Sequence, residues 1–411
     1  MSDFDKPVPP IYNEPYMPSL KVPIGHIRIS ARARAYVQQV LRSGRLSYGP
    51  FTRRFEARFA KLHGCRFAVT SSSGTVALQI AIAALKETHG WPDGSEVLVP
   101  ATTFIATSNA VLNNNLRPVF VDIDPDFYGL DARLMARKIT RRTRAVIPVH
   151  LFGQPADMDP ILEVARKHRL SVIEDSAETM YARYKGRWVG TLGDIGCFST
   201  YIAHLLTTGV GGINTTRDPQ LAILLRSLMN HGRDSIYLNI DDDDRPGHPR
   251  MRLIVKKRFS FVRLGHSART TEMESALGLA QLEESFVREI GVRRANAAEL
   301  TRRLRPLEDR MQLPSIRPGS EHSFMVYPIV LRRGLRKDGV VQHLERHGIE
   351  TRDLMPLLNQ PVYRKLFKLD ARNYPVSKWL LESGFYVGCH PGLGTTHLAR
   401  VADTLRRALQ R

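Results

Sequence analysis

Hydrophobic and polar positions switch repeatedly between a two-residue and a helical period in the first half of the chain. Phe67-Ala68-Val69-Thr70 reads as a strand and passes through Ser71-Ser72-Ser73-Gly74-Thr75 into a helical stretch, Val76 to Leu85. Glu96-Val97-Leu98-Val99-Pro100 predicts a second strand, followed by a helix through Ala106 to Leu112. Pro118 to Asp122 predicts a third and Ala145 to Val149 a fourth, and a helix over Met158 to His168 leads to a fifth, Leu170 to Asp175. Another helical pattern, Ile29 to Leu41, is closed by Ser43-Gly44. Short β-branched runs separated by helices predict an α/β fold with an open, mostly parallel sheet.

After Gly212 the pattern changes. Residues 234–258 read as a charged exposed loop or insertion, with Asp241 to Asp244 followed by Arg245-Pro246-Gly247-His248-Pro249. Glu272 to Val287 predicts an amphipathic helix and 288–310 a second, long and basic one. Beyond about 315 a smaller region alternates strand (Phe324 to Leu331), helix (Asp338 to His347), strand (Ile349 to Arg352) and a closing helix, Thr396 to Leu409. These boundaries divide the chain into an extended arm over 1–25, which carries six prolines, a large α/β domain over 26–290 and a smaller α+β domain over 291–411.

With 411 residues, 43% of them hydrophobic, the chain can bury a sizeable core. No apolar run approaches the roughly 18 residues a membrane span needs. The first ten residues are acidic and proline-containing, without a basic-then-apolar signal, so cytoplasm is the expectation. Cys65, Cys197 and Cys389 lie far apart, which argues against a disulfide framework, a zinc site or a cysteine-held cluster, and no metal is expected. Lys and Arg number 60 against 40 Asp and Glu, a net charge of +20. That balance suits an anionic small substrate or simply a basic surface. Nucleic acid ranks last, because the basic doublets are scattered without interleaved aromatics.

Candidate chemistry gathers at strand ends. Ser72-Ser73-Gly74-Thr75 joins a strand to a helix, where backbone N–H groups favour a phosphate and glycine permits close approach, although such turns also occur without a ligand. Asp175 closes a strand at its C-terminal end, where open α/β sheets bind ligands. Its carboxylate could hold a cationic ring nitrogen or cap a following helix. Ser199 is a second possible phosphate donor, and Thr207-Thr208-Gly209-Val210-Gly211-Gly212 suggests a closely packed turn.

Taken in order, these stretches resemble the DegT/StrS sugar aminotransferase/dehydratase family of fold-type I pyridoxal-phosphate (PLP) enzymes. The resemblance runs from about residue 25 to 410 through Ser47-Tyr48-Gly49-Pro50, Ser73-Gly74-Thr75, Pro100-Ala101-Thr102-Thr103-Phe104 and Pro118-Val119-Phe120-Val121-Asp122. It continues through Pro148-Val149-His150-Leu151-Phe152-Gly153-Gln154, Ile173-Glu174-Asp175, Gly193-Asp194-Ile195, Phe198-Ser199 and Ala276-Leu277-Gly278. It implies a mostly parallel sheet of the seven-stranded type with a small C-terminal α+β domain. It also implies that Gly74, Thr75 and Ser199 hold the cofactor phosphate, that Asp175 pairs with the pyridine nitrogen, and that Phe104 stacks on the ring. A homodimer with shared sites follows from it, Arg269 reaching in from the neighbour, as does a nucleotide-linked keto-sugar substrate. His322 and Arg352 fall on segments that the same resemblance places near the substrate; a structural histidine and a surface ion pair are the plain alternatives.

Three positions depart from that family pattern. Ser267 stands where an interface Asn is usual, and Glu178 where Gln is usual near the cofactor phenolate; a solvated helix residue is the alternative for Glu178. Most telling is His204, at the place of the lysine that bonds the cofactor aldehyde. Histidine can move protons but cannot make that bond. The resemblance therefore narrows to the family's sugar 3-dehydratases that carry His in place of Lys, of the GDP-4-keto-6-deoxymannose type. These hold PLP or pyridoxamine phosphate (PMP) non-covalently, take glutamate as amino donor and release a 3-deoxy sugar with ammonia. Two other readings stay open: an aminotransferase drawing a lysine from elsewhere, Lys185 being nearest in sequence, and a binding or regulatory protein on the same fold.

Overall fold

Seven of the short β-forming runs converge on one sheet. The computed structural model describes residues 21–234, 252, 256–257, 259–355 and 357–410. In chain order its strands are β1 (Phe67–Ser71), β2 (Glu96–Pro100), β3 (Arg117–Val121), β4 (Thr143–Val146), β5 (Ser171–Asp175), the hairpin β6 (Arg183–Tyr184) and β7 (Arg187–Trp188), β8 (Ile195–Ser199) and β9 (Gly212–Thr216). The large sheet runs β1-β9-β8-β5-β4-β2-β3, with β9 antiparallel to both neighbours and the remaining pairings parallel. Ligand chemistry is therefore expected at the C-terminal ends of the parallel strands.

Helices α1 (Ala31–Ser43), α2 (Pro50–Leu62), α3 (Gly74–His89), α4 (Ile105–Leu112), α5 (Ala132–Lys138), α6 (Met158–His168) and α7 (Pro219–Met229) are distributed over this sheet. Strand alternation decides which cover each residue meets. Val97 and Val99 join the cluster built on α3, α4 and α7, whereas Leu98 packs with Met135 of α5 and Ile161 of α6. Likewise Cys197 faces the α3 side and Phe198 the aromatic layer of Phe55 and Phe59 from α2. Both faces are dry, as a parallel sheet requires.

The remaining helices are α8 (Glu272–Glu284), α9 (Phe286–Leu304), α10 (Lys337–Arg346), α11 (Pro361–Phe367), α12 (Pro375–Ser383) and α13 (Thr395–Leu409). They accompany a four-stranded antiparallel sheet, β10-β11-β13-β12, made of β10 (Met311–Gln312), β11 (Tyr327–Leu331), β12 (Arg352–Asp353) and β13 (Gly384–Val387). Helix α9 belongs to both halves: Phe286 and Ile290 join the α2 cluster, and Ala297, Leu300 and Leu304 join the core of the small sheet. Ile349 contributes an isolated bridge to Val22 rather than the start of a strand, and the fourth predicted strand ends at Val146, ahead of Pro148, which lacks a ladder donor. Residues 1–20 of the predicted arm and most of the predicted loop 234–258 lie outside the described residues.

Candidate active site

The site grows from the contact between the start of α3 and the end of β8. Ser73 caps α3, its Oγ accepting from the Val76 N–H at 3.2 Å. The N–H groups of Gly74 and Thr75 take no acceptor among the described residues, as expected of an open first turn. Gly74 is required because a Cβ there would stand 2.6 Å from Cβ of Ser199. On the other side Gly212 lays its backbone against the same turn; a Cβ there would be 2.2 Å from the Ser73 carbonyl oxygen. Two donors at a helix start and one hydroxyl thus meet at a surface shaped for an anion.

On the neighbouring strand, Asp175 pairs in register with Cys197, two residues before Ser199. The Asp175 carboxylate is buried and accepts from Thr107 Oγ1 at 2.7 Å and from the Ala177 N–H at 3.1 Å. Thr107 in turn lies 2.7 Å from the Thr103 hydroxyl. Burial pushes the Asp175 pKa up, and the Thr107 hydroxyl works against that push. Among the described residues no ammonium or guanidinium group bonds this carboxylate, so it can still pair with a cation. No helix follows Asp175; the Ala177 contact is a local turn bond, which removes the helix-cap alternative.

His204 lies in the turn that leaves β8. Its Nδ1 is 3.2 Å from Ser199 Oγ, which also accepts from the Tyr201 N–H at 3.3 Å. The Tyr201 ring meets the imidazole edge-on. His204 Nε2 has no protein partner among the described residues. Loss of hydration lowers the His204 pKa to about 4, so the ring is neutral at pH 7.

Glu178 is buried and belongs to no helix, which corrects the solvated-helix alternative. It accepts from the Phe152 N–H at 2.8 Å, and burial with the nearby Asp175 charge raises its pKa to about 7. Phe104, just before α4, is 60% exposed, an unusual state for phenylalanine beside Thr103 and Thr107. Arg269 follows Ala268, whose carbonyl accepts from the Ser72 N–H at 2.7 Å, so it stands close to the α3 turn of its own chain and is unpaired among the described residues. Ser267 bridges to Asn230.

His322 and Arg352 have no bond to these groups. His322 is buried, stacked on Phe324 at 3.8 Å and accepting its N–H at Nδ1, and burial lowers its pKa to about 3. Arg352 is exposed and pairs with Glu350. Lys185 sits at the β6–β7 turn, exposed, paired with Asp159 at 2.7 Å. The Thr103–Thr107–Asp175 relay escaped sequence reading, although two threonines four apart at a strand-to-helix junction carried its signal. Another centre also escaped: Glu174, fully buried, binds His150 Nε2 at 3.0 Å and the N–H groups of Gly190, Leu192 and Gly193. His150 Nδ1 accepts from Ala156, so this histidine serves the fold. Among the described residues no group of three or more His, Cys, Asp or Glu could hold a metal ion, and no helix is long and apolar enough to cross a membrane.

An open α/β sheet with unpaired N–H groups at a helix start, a buried carboxylate on a nearby strand and a histidine in the turn beyond it defines a fold-type I PLP-enzyme architecture. Residues 28–406 match the model of the DegT/DnrJ/EryC1/StrS aminotransferase family, and the chain belongs to that family. It is 34% identical over 393 residues to GDP-perosamine synthase of Caulobacter vibrioides, covering 95% of this chain and 98% of the relative. Among solved structures it is similar to S. venezuelae DesV, with TM-score 0.82, 31% identity and coverage of 95% and 99% of the two chains. It is also similar to E. coli GDP-4-keto-6-deoxy-D-mannose-3-dehydratase with bound hydrated PLP, with TM-score 0.85, 27% identity and coverage of 95% and 100%.

Proposed function

We propose that this protein is a PLP/PMP-dependent 3-dehydratase of a nucleotide-linked 4-keto-6-deoxy sugar, with His204 as its base. The observation that carries the reading is His204 itself, bonded to Ser199 beside the α3 turn, while among the described residues no lysine bonds to this cluster. The residues fit the cofactor: Gly74, Thr75 and Ser199 would offer donors to its phosphate, and buried Asp175 lacks, among the described residues, a cationic partner that the protonated ring nitrogen would supply. Phe104 would cover the ring face, and Glu178 would meet the phenolate. When bound, this cofactor supplies an electron sink that lets a proton leave at its C4′ and a hydroxyl leave at sugar C3.

The protein's own part is proton placement. In the tautomer that donates Nδ1–H to Ser199 Oγ, the Ser199 proton is free for the phosphate and the Nε2 lone pair is left as an acceptor. A neutral imidazole held by Ser199 and Tyr201 takes a proton but cannot swing like a lysine chain to return it at sugar C4. Loss of the C3 hydroxyl then competes successfully with amination. Binding is non-covalent, glutamate restores the amino form, and the site is soluble and cytoplasmic in this reading. A homodimer completes it: Phe259 and Leu264, 77% and 97% exposed, precede Arg269 and offer apolar surface to a second copy.

An aminotransferase is the second reading, favoured by the 34% identity to a perosamine synthase. Incubation with glutamate and a nucleotide 4-keto-6-deoxyhexose separates the two. Ammonia with a 3-deoxy product is expected. An amino sugar would move the assignment to transfer, and no turnover to a binding role.

A further inference from the structure

A second cavity lies beside the small sheet, between the loop after β11, the start of α10 and one side of α12. It measures about 650 Å³ and shares no residue with the site at Asp175, Ser199 and His204. That volume falls in the range of small-molecule sites. Five cations line it, Arg333, Arg336, Lys337, Arg372 and Lys378, against two acids, Asp338 and Glu382. Lys337 and Arg372 are already paired, with Asp353 at 2.8 Å and Asp370 at 2.7 Å, and Lys378 stands 3.7 Å from Glu382. Arg333 and Arg336 have no ion-pair or hydrogen-bond partner among the described residues. Trp379 is another wall, its Nε1–H committed to the Leu331 carbonyl at 3.2 Å, which fixes the plane of the indole.

We propose that this cavity binds a phosphate-bearing ligand of nucleotide size. Guanidinium groups match phosphate geometry and stay charged at every working pH. Two unpaired ones on a surface with excess positive charge leave Coulomb attraction unspent, and a di- or triphosphate supplies the complement. The fixed indole offers a planar base an apolar stacking partner. Asp338 and Glu382 would repel a uniformly anionic molecule but accept from ribose hydroxyls or base amino groups, which selects a nucleotide over inorganic polyphosphate. Occupancy bears on α12, whose first N–H groups, at Val376 and Ser377, are held by Asp122 at the end of β3. The cavity is thereby tied to the large sheet, whichever reaction His204 performs.

The test uses the cofactor-loaded protein with ADP, pyrophosphate and adenosine as probes, followed by calorimetry and tryptophan emission. ADP is expected to bind and quench emission, at least tenfold tighter than either pyrophosphate or adenosine. Arg333→Ala/Arg336→Ala should weaken ADP at least tenfold, and Trp379→Phe should abolish the quench. ADP affinity unchanged within twofold in the arginine variant would overturn the proposal. Equal affinities for ADP and pyrophosphate would do the same, by removing the base contact that defines the class. Both variants change side chains outside the His204 site, so sugar turnover reports separately on that site.

Discussion

Thr107 Oγ1 donates to Asp175 Oδ2 at 2.7 Å, and this one bond is the chief counterweight to burial at the carboxylate. The helix that carries Thr107 is the next element after β2, and the carboxylate ends β5, so the bond joins the ends of two strands that β4 separates. A hydroxyl bond to a charged acceptor contributes about 1.5–3 kcal/mol. Its loss raises the Asp175 pKa further and weakens the charged form that a ring nitrogen needs.

Thr107→Val keeps the volume and removes the donor. PLP affinity should fall about tenfold, consistent with a bond of that size, while the melting temperature moves by only a few degrees. Absorbance titration measures the first and a thermal scan the second. An unchanged PLP affinity would show that Asp175 does not meet the cofactor.

Replacing His204 tests the absence of a covalent anchor. In the native protein, borohydride should leave the cofactor extractable, because imidazole forms no reducible link to an aldehyde. His204→Lys should capture it, with a shifted absorbance band and a labelled lysine in the peptide after reduction. The same variant should lose 3-deoxy product by at least a hundredfold, consistent with the usual worth of a positioned base. A reduced lysine in the native protein would reassign the base.

The legible parts of this molecule were those with local causes. Helix α6 needed only its apolar stripe, and β1, β2 and β5 their β-branched runs. Strand β9 was missed because Gly212-Ile213-Asn214-Thr215-Thr216 is mostly small or polar, yet fully buried. Its polar groups are satisfied by distant partners, as when Asn214 reaches the Ala77 carbonyl and Thr216 the Asp194 carbonyl. Helix α2 was missed because its N-terminus is organised by Glu272, more than two hundred residues away, which accepts from Gly49, Phe51 and Thr52. Asp175 could be singled out from a strand end and Ser199 from its place five residues before His204, but their closeness depends on β5 and β8 being neighbours, which no local pattern encodes.

The pH dependence of stability should have two limbs of opposite sign. His63, stacked on Phe59, and His322 are held neutral by burial, with pKa values near 4 and 3 against an ordinary 6.5. The unfolded chain binds more protons in that window, so stability drops as pH falls below about 6.5. Glu178 acts the other way: its pKa near 7 exceeds the ordinary 4.5, so the folded state holds the extra proton and stability declines as pH rises between those values. Glu178→Gln should therefore gain about 3 kcal/mol at pH 8, the free-energy equivalent of that shift, and under about 1 kcal/mol at pH 5, where the unfolded carboxyl has only begun to ionise. Urea midpoints at the two pH values decide it, and an equal effect at both would exclude titration as the cause.

The α3 turn offers a sharper test, because geometry sets both the sign and the partner. Gly74→Ala places a methyl 2.6 Å from Ser199 Cβ and 3.2 Å from its Cα, so something must move. Forced overpacking of this kind costs about 1–3 kcal/mol. Ser199→Gly deletes the nearest obstacle along with the hydroxyl. In that background Gly74→Ala should cost at least about 1 kcal/mol less, the coupling expected of residues in contact. PLP binding should stay poor in both single variants and in the double, because relief of the clash does not restore the phosphate donor or the tether on His204. Additive stability costs would mean that the turn yields elsewhere, and Gly74 would then be serving only the backbone at the helix start.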